Sequence, residues 1–163
     1  MKILIAYGSS YGTTEKCAGI LADILKKKNY EADPANLKKN QRINLKGYDL
    51  IAIGGSFIAF RMNSAVRKFV KRNLNTLLNK KTALFMCGAG EDREKEIKKG
   101  FPGKLLKKAV TTGYFGYEIL WDKLNPFFRS IMQKAFKTTE TVSKINHENI
   151  EKFAEDIIKA ISS

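Results

Sequence analysis

Short, uninterrupted apolar runs alternate along the chain with longer segments in which apolar residues recur every three or four positions. The first run covers residues 3–7, directly after Lys2, and the first helical pattern starts after Gly12. Uninterrupted runs are typical of strands that are buried on both faces of a parallel sheet, and the longer recurrence is typical of amphipathic helices. The alternation therefore predicts an α/β fold in which helices cover both faces of one parallel sheet.

The predicted elements fit one domain. At 163 residues the chain is long enough to build a complete hydrophobic core, so we predict a single domain over residues 1–163. Strands are predicted at residues 2–7, 30–35, 48–54, 82–87 and 110–119. The helix after the third strand should be capped by Asn63 or Ser64, and the polar residues 36–46 should form a short helix or a long loop.

Glycine occurs in the loops that follow the first, third and fourth predicted strands. In a doubly wound parallel sheet, ligands bind at the carboxyl ends of the strands, at the point where the strand order reverses. These three loops should meet at that point. The sequence therefore predicts one binding site at this edge of the sheet.

The first of these loops has the sequence Y-G-S-S-Y-G-T-T-E. A Walker loop needs Gly-Lys-Ser/Thr after four intervening residues, and no lysine stands at that place. A dinucleotide fingerprint needs G-x-G-x-x-G, whereas three residues separate Gly8 from Gly12. A response-regulator receiver needs acidic residues after strand one and an aspartate after strand three, where this chain has Gly8-Ser9 and Gly55-Ser56. These three classes of anion site are excluded.

The loop resembles the phosphate loop of the flavodoxin family, whose pattern is hydroxyl, any residue, hydroxyl, glycine, any residue, threonine. Hydroxyls and backbone N–H groups at a helix N-terminus can surround a phosphate without a lysine or an arginine. The resemblance implies FMN as the cofactor, with Gly12 closing the turn. The side chains it implies for the FMN phosphate are Ser9, Ser10, Thr13 and Thr14. Tyr11 departs from the pattern and could offer its backbone N–H or cover the site with its ring. The alternative is a hydroxyl-rich turn that only caps the helix.

The resemblance also assigns the second and third loops to the isoalloxazine ring of FMN. The implied contact residues are Ser56, Phe57, Ile58, Ala59, Phe60 and Arg61 in the second loop and Gly88, Ala89, Gly90 and Glu91 in the third. Phe60 is the candidate for stacking on the ring and Arg61 for a cation that faces flavin or substrate; Phe57 and Phe60 as core residues are the alternative. No aromatic residue lies between Met86 and Phe101, so the flavin is expected to be more open on that side.

An additional amphipathic helix is predicted between the fifth strand and the closing helix. Its apolar stripe consists of Leu124, Phe127, Phe128, Ile131, Met132, Ala135 and Phe136. A stripe of this kind can pack on the sheet, or it can face an anionic, apolar substrate or a membrane surface. The resemblance implies a flavodoxin-like three-layer sandwich with a five-stranded parallel sheet of order 2-1-3-4-5, into which this helix is inserted after strand five.

The stretches Y-G-T-T-E-K-C-A, Y-F-G-Y-E-I-L-W-D-K-L-N and N-H-E-N-I-E-K-F-A are similar to the flavodoxin branch that contains the menaquinone-dependent protoporphyrinogen IX dehydrogenases. Those enzymes use FMN to oxidise a porphyrinogen and pass the electrons to membrane quinone. They carry a long inserted loop, whereas the insertion here is short. The resemblance therefore implies FMN-based redox chemistry and leaves the porphyrinogen activity open.

Charge is the unusual bulk property of this chain. Thirty Lys and Arg residues against sixteen Asp and Glu residues give a formal net charge of +14. This charge favours acidic or anionic partners, although a solvated lysine-rich surface would account for it equally well. The lysines are scattered without interleaved aromatic residues, so no nucleic-acid partner is expected. Because many flavodoxins are acidic, the opposite charge predicts a less negative semiquinone/hydroquinone potential for the bound flavin.

The histidine and cysteine residues of the chain do not suggest a catalytic site formed by protein side chains alone. His147 is the single histidine and is expected at the surface, near the start of the last helix. No metal site is expected, because Cys17 and Cys87 have no paired spacing, and Cys87 is predicted to be a small apolar residue at a strand end. No signal peptide or membrane span is predicted, which favours a cytoplasmic protein with peripheral contact at the inner membrane face as a further expectation.

Three functions remain open at this point. The first is an FMN-binding redox protein that transfers electrons or acts as an oxidoreductase, with a partner protein, a quinone or an anionic small molecule. The second is a protoporphyrinogen or quinone-linked FMN dehydrogenase. The third is a flavin-free interaction module that retains the fold.

Overall fold

The computed structural model describes all residues from 1 to 163. Its strands are β1 (Lys2–Gly8), β2 (Glu31–Asn36), β3 (Leu50–Ile58), β4 (Arg61–Met62), β5 (Lys81–Cys87), β6 (Thr111–Tyr114), β7 (Gly116–Ile119) and β8 (Val142–Ile145). Its helices are α1 (Thr13–Lys27), α2 (Ser64–Leu78), α3 (Arg93–Gly100), α4 (Gly103–Lys108), α5 (Pro126–Phe136) and α6 (His147–Ser162). None of these helices combines the length and the apolar character needed to cross a membrane.

The central sheet has the predicted architecture. Its parallel strands lie in the order β2-β1-β3-β5-β6, which is the predicted order 2-1-3-4-5 when the five parallel strands are counted along the chain. The order reverses between β1 and β3, and the loop after β1 leads directly into α1. The predicted polar segment after β2 forms turns and no helix.

Two hydrophobic cores lie on opposite faces of this sheet. Alternate residues of β1 enter different cores: Ile3 and Ile5 pack on the side of α1 and α6, and Leu4 and Ala6 pack on the side of α2 and α4. All four are at most 1% exposed. Burial on both faces explains why β1 reads as an uninterrupted apolar run.

The third and fifth predicted strands differ from the observed ones. The prediction ended the third strand at residue 54, but β3 continues to Ile58 and turns back into the short antiparallel strand β4. The predicted fifth strand at 110–119 is divided into β6 and β7. Gly116 has a φ of 78°, and this left-handed backbone directs β7 out of the main sheet, where it pairs antiparallel with β8. The pattern of apolar residues continues across the break, which is why it predicted one strand.

We expect Gly116→Ala to destabilise the fold by about 1–3 kcal/mol, because a non-glycine residue at positive φ is strained. The added Cβ would also collide with the carbonyl oxygen of Lys144 on β8. Chemical denaturation monitored by circular dichroism measures the loss. Gly19→Ala is the matched control: Gly19 lies within α1 and has open space at its Cβ position, so alanine should be neutral or stabilising there. Equal effects of both substitutions would contradict the account of the strand break.

Candidate functional site

A cleft of about 430 Å³ lies at the carboxyl ends of β1, β3 and β5. The predicted site residues that line it are Ser9, Tyr11, Thr13, Thr14, Ser56, Phe57, Ile58, Ala59, Phe60, Gly88, Ala89 and Gly90. Most of its lining is apolar, and its volume is within the usual range for cofactor sites. The structure therefore brings the three predicted loops together at one site.

Four predicted residues lie outside the lining of this cleft: Ser10, Gly12, Arg61 and Glu91. Ser10 is exposed, but its Oγ atom lies 3.1 Å from that of Ser56 and so connects the first loop to the second. Gly12 is the N-cap residue of α1. Arg61 on β4 is exposed, and Glu91 lines a neighbouring cleft.

The first loop leaves several hydrogen-bonding groups without a partner in the chain. Gly12 has a φ of 99°, and its N–H donates to Ser9 Oγ at 2.9 Å. The backbone N–H groups of Ser10 and Tyr11 donate to no other group of the chain. The Thr14 hydroxyl is fully buried and also has no partner. Together with the positive end of the α1 dipole, these donors form a site that suits a phosphate.

The hydroxyls of this loop do not serve as a helix cap. The N-cap of α1 is Gly12, and no side chain accepts a hydrogen bond from the first turn of the helix. By contrast, the side chain of Asn63 accepts from the N–H of Ala65 at 3.0 Å and caps α2, as predicted. The alternative that the Ser/Thr-rich turn only caps α1 is therefore wrong.

Asn63 has a second role that the sequence did not indicate. Its side-chain nitrogen donates to the Oγ atoms of Ser10 and Ser56, both at 3.3 Å. The start of α2 thus holds the first and second loops together. The same side chain occupies the space that a Cβ at Gly8 would need, which explains a glycine at the end of β1.

Phe57 and Phe60 have different environments. Phe57 is 5% exposed and belongs to the core on the α2 side of the sheet. Phe60 lines the cleft, remains 75% exposed, and its ring centroid lies 5.3 Å from the ammonium nitrogen of Lys99. Phe60 and Ala59 form the turn between β3 and β4 with φ values of 59° and 49°. Positive φ at two residues with side chains is strained, and strain of this kind is concentrated at functional sites.

Tyr114 anchors the third loop through hydrogen bonds to the loop backbone. Its hydroxyl donates to the carbonyl oxygens of Gly88 and Gly90. Burial, together with the nearby carboxylate of Glu96, raises the pKa of Tyr114 to about 12, so the hydroxyl remains a donor at neutral pH. The backbone N–H groups of Ala89, Gly90 and Glu91 donate to no other group of the chain.

The remaining walls of the cleft come from residues that sequence reasoning did not assign to it: Cys87, Glu96, Tyr117, Glu118, Ile119, Leu120, Leu124, Met132, Ala135 and Phe136. Two of these are aromatic, Tyr117 on β7 and Phe136 on α5, with ring centroids 5.6 Å apart. The third loop has no aromatic residue, but β7 and α5 supply aromatic groups to the same cleft. In the sequence, only the additional amphipathic helix predicted after the fifth strand indicated that this part of the chain could contribute to the cleft.

Contacts between Glu118 on β7 and the start of α1 fix the position of β7 relative to the first loop. The Thr13 hydroxyl donates to the carbonyl oxygen of Glu118 at 3.2 Å, and the Lys16 ammonium lies 2.8 Å from the nearly buried carboxylate of Glu118. The ammonium of Lys123 lies 3.6 Å from the point where a Cβ at Gly12 would stand. The loop therefore has a cation beside it that the loop sequence does not contain.

Tyr11 connects the loop to α5. Its ring meets that of Phe128 edge to face with centroids 5.7 Å apart, and it lines the cleft. The apolar stripe of α5 does not pack on the sheet, which contradicts that alternative: Met132, Ala135 and Phe136 line the cleft, and Phe127 is 70% exposed.

Cys87 is not a reactive thiol in this structure. It is 3% exposed, and interaction with the neighbouring Cys17 thiol, together with burial, raises its pKa well above the usual value, while the Thr14 side chain opposes the shift. A thiolate is the nucleophilic form of cysteine, so this residue acts as a small apolar group. His147 is exposed at the start of α6, as predicted, and no cluster of metal-ligating side chains is present in the chain.

Comparisons with known proteins agree with this geometry. A family model described as a flavodoxin domain matches residues 4–146. Protoporphyrinogen IX dehydrogenase (quinone) of Escherichia coli strain K12 is 32% identical over 85 residues, which cover 52% of this chain and 47% of that enzyme, so the match spans about half of the enzyme's length.

Many solved structures share the fold. Flavodoxin 2 of Bacillus cereus aligns with a TM-score of 0.63 and 19% identity over 98% of this chain and 99% of its own. Rubredoxin oxygen:oxidoreductase of Desulfovibrio gigas aligns with a TM-score of 0.65 and 13% identity over 99% of this chain and 36% of its own. Because the family model matches most of the chain and the flavodoxin fold is present from end to end, this chain belongs to the flavodoxin family.

Proposed function

We propose that this chain binds FMN non-covalently in the cleft and serves as a redox protein. The observation that carries the proposal is the fully buried Thr14 hydroxyl, which has no partner in the chain and stands at the N-terminus of α1 in a largely apolar cleft. A buried hydroxyl without a partner is costly, and a phosphate oxygen would satisfy it. Membership of the flavodoxin family supports FMN as the source of that phosphate.

The roles of the chain's own residues follow from their positions. Thr14 and the free N–H groups of Ser10 and Tyr11 would bind the phosphate. Gly12 provides the left-handed backbone conformation that the turn of this loop requires. The strained Ala59-Phe60 turn and α5 would enclose the ring and exclude water. When bound, FMN would supply one- or two-electron redox chemistry, for which the protein needs no nucleophile.

Titration with FMN tests the proposal directly. The purified protein should be yellow, or should quench FMN fluorescence saturably with one FMN bound per chain. The same titration tests the third function, an interaction module that retains the fold without flavin. A colourless protein that leaves FMN fluorescence unchanged would support that module and refute the FMN proposal.

The charge of the chain gives a separate prediction. A positive field favours the anionic reduced flavin, so the midpoint potential of bound FMN should be less negative than in acidic flavodoxins. Screening shortens the Debye length from about 10 Å at 0.1 M salt to about 3 Å at 1 M, so added salt should shift the potential toward more negative values. Spectroelectrochemical titration at two salt concentrations measures both effects. A potential as low as that of acidic flavodoxins at matched salt would contradict this prediction.

A protoporphyrinogen or quinone-linked dehydrogenase is the second candidate. Two observations favour it: the partial match to protoporphyrinogen IX dehydrogenase, and the exposed apolar residues Phe127 and Ile131 on a helix that also borders the cleft. An apolar, anionic substrate, a quinone or an anionic membrane surface would suit such a helix on a basic protein. An acidic redox partner protein would suit the same charge.

An acceptor screen separates these partners. The FMN-loaded protein is supplied with protoporphyrinogen and a soluble menaquinone analogue, and porphyrin fluorescence is followed. Porphyrin formation that requires both FMN and the quinone would establish the dehydrogenase. Electron exchange with acidic redox proteins, without porphyrin formation, would establish the electron carrier.

A further inference from the structure

Charge is distributed unevenly between the two helical layers of the fold. Helices α2 and α4 pack on one face of the sheet, and α1 and α6 pack on the other. The first pair carries seven Lys and Arg residues and no Asp or Glu, whereas the second pair carries five Lys residues and six Asp and Glu residues. A general enrichment in lysine would raise the positive charge of both pairs. The excess positive charge of these helices instead lies on one face of the molecule.

The basic side chains of this face are exposed and form no ion pair. They are Arg67, Lys68, Lys71 and Arg72 on α2 and Lys104, Lys107 and Lys108 on α4, and we call this surface the α2/α4 face. The Lys108 ammonium donates to the carbonyl oxygen of Leu78 at 2.9 Å and so joins α4 to the end of α2. Folding thus brings lysines that are scattered along the sequence together on one surface.

Neighbouring segments extend the α2/α4 face. The Arg72 guanidinium donates to the carbonyl oxygen of Gln41 at 3.1 Å, which holds the segment 37–46 beside α2. This segment contains four further Lys and Arg residues and no acidic residue. Helix α3, which packs against the same core, is less strongly charged, with four basic and two acidic residues. The basic surface therefore spans two helices and the adjoining turns.

The composition of the α2/α4 face favours an anionic bilayer over other anionic partners. The exposed large apolar side chains of the chain are Met1, Phe60, Val110, Phe127 and Ile131, and none of them lies on α2 or α4. Protein interfaces are depleted in lysine at their centre and are anchored by aromatic residues, and single-stranded nucleic acids stack on aromatic side chains. Clusters of about four to eight Lys and Arg residues bind anionic lipid headgroups without such anchors.

We propose that the α2/α4 face binds the anionic headgroups of a lipid surface. Two adjacent helices present a broad surface, and a bilayer offers negative charge over a plane. Neither helix contributes a residue to the main cleft, so docking through this face leaves the cleft open. The proposal concerns a surface separate from the FMN site and does not depend on flavin binding.

Co-sedimentation of the full chain with lipid vesicles tests this proposal. The vesicles consist of phosphatidylcholine alone or of phosphatidylcholine with about one-third phosphatidylglycerol, which is anionic. The face variant combines Lys68→Gln, Lys71→Gln, Lys104→Gln and Lys107→Gln, and so spares Arg72 and Lys108, whose side chains form hydrogen bonds. The matched control removes four exposed charges from α1 and α6 by Lys26→Gln, Lys27→Gln, Lys152→Gln and Lys159→Gln.

We expect the wild type to bind the anionic vesicles and not the neutral ones. Binding at about 0.1 M salt should be lost at about 1 M, because screening shortens the Debye length from about 10 Å to about 3 Å. Each cation close to an anionic bilayer strengthens binding by about fivefold, so the face variant should bind about 100-fold more weakly. The control has the same net charge as the face variant and should lose less than about tenfold. Circular dichroism should be unchanged in both variants, because the substituted side chains are exposed.

Four outcomes would overturn the proposal. A wild type that does not bind anionic vesicles would refute it directly. Equal losses in the face variant and the control would show that net charge, and not this face, determines binding. If Phe127→Ser combined with Ile131→Ser abolishes binding while the face variant retains it, α5 is the docking element. If duplex DNA at an equal phosphate concentration removes the wild type from the vesicles, the preferred partner is a nucleic acid. FMN titration is a separate measurement, so failure of the FMN proposal would leave each of these outcomes distinguishable.

Discussion

Replacing Thr14 by valine will weaken FMN binding by about 10- to 100-fold without weakening the fold. The fold change corresponds to the loss of one hydrogen bond to a charged group, about 1.5–3 kcal/mol. The fold itself should lose nothing, because the buried Thr14 hydroxyl has no partner in the chain and valine has nearly the same shape. Isothermal titration with FMN and denaturant unfolding of the free protein measure the two quantities.

Thr82→Val is the matched control for this substitution. Thr82 is equally buried, and its hydroxyl also lacks a partner, but it lies at the start of β5, at the opposite edge of the sheet from the cleft. FMN affinity should be unchanged in this variant. Riboflavin, which has no phosphate, should bind the wild type and Thr14→Val with similar affinity. An equal loss for FMN and riboflavin would show that Thr14 does not bind the phosphate.

Phe115→Ala will reduce the free energy of unfolding by about 3–5 kcal/mol, the usual cost of deleting a buried aromatic ring. Phe115 is fully buried between Phe85, whose ring stacks on it with centroids 4.7 Å apart, and Phe153, which meets it edge to face at 5.2 Å. The three rings join β5, the break between β6 and β7, and α6. The substitution therefore creates a cavity between β6 and β7, where the chain turns out of the central sheet.

Phe127→Ala provides the comparison, because Phe127 is 70% exposed on α5. Its removal should change stability by no more than about 0.5 kcal/mol. Urea unfolding curves of both variants, with unchanged slopes, give the two values. Similar losses for the two substitutions would mean that α5 packs on the body of the protein through Phe127, contrary to the structure.

The sheet and its strand order could be predicted from local sequence patterns. The break between β6 and β7 could not, because it depends on the backbone conformation of one residue. The alternation of buried runs and amphipathic helices predicted five parallel strands, because burial on both faces leaves a continuous apolar signature in β1 and β5. The division between β6 and β7 depends on the left-handed conformation of Gly116, and glycine alone does not reveal its φ. The partner of β7 lies more than twenty residues further along the chain, in β8.

The first loop was predictable for a local reason: a strand, a hydroxyl-rich turn and a helix N-terminus that follow one another in sequence are also neighbours in space. Local sequence patterns were therefore sufficient to predict the parallel α/β architecture and the hydroxyl-rich loop between β1 and α1. The distant groups that complete the cleft could be identified only from the packing of the folded chain. Glu96, Glu118 and Phe136 reach it because the strand order and the turn at Gly116 place α3, β7 and α5 around the same edge of the sheet. Contacts between residues so far apart in sequence depend on the packing of whole elements, and no local pattern records that packing.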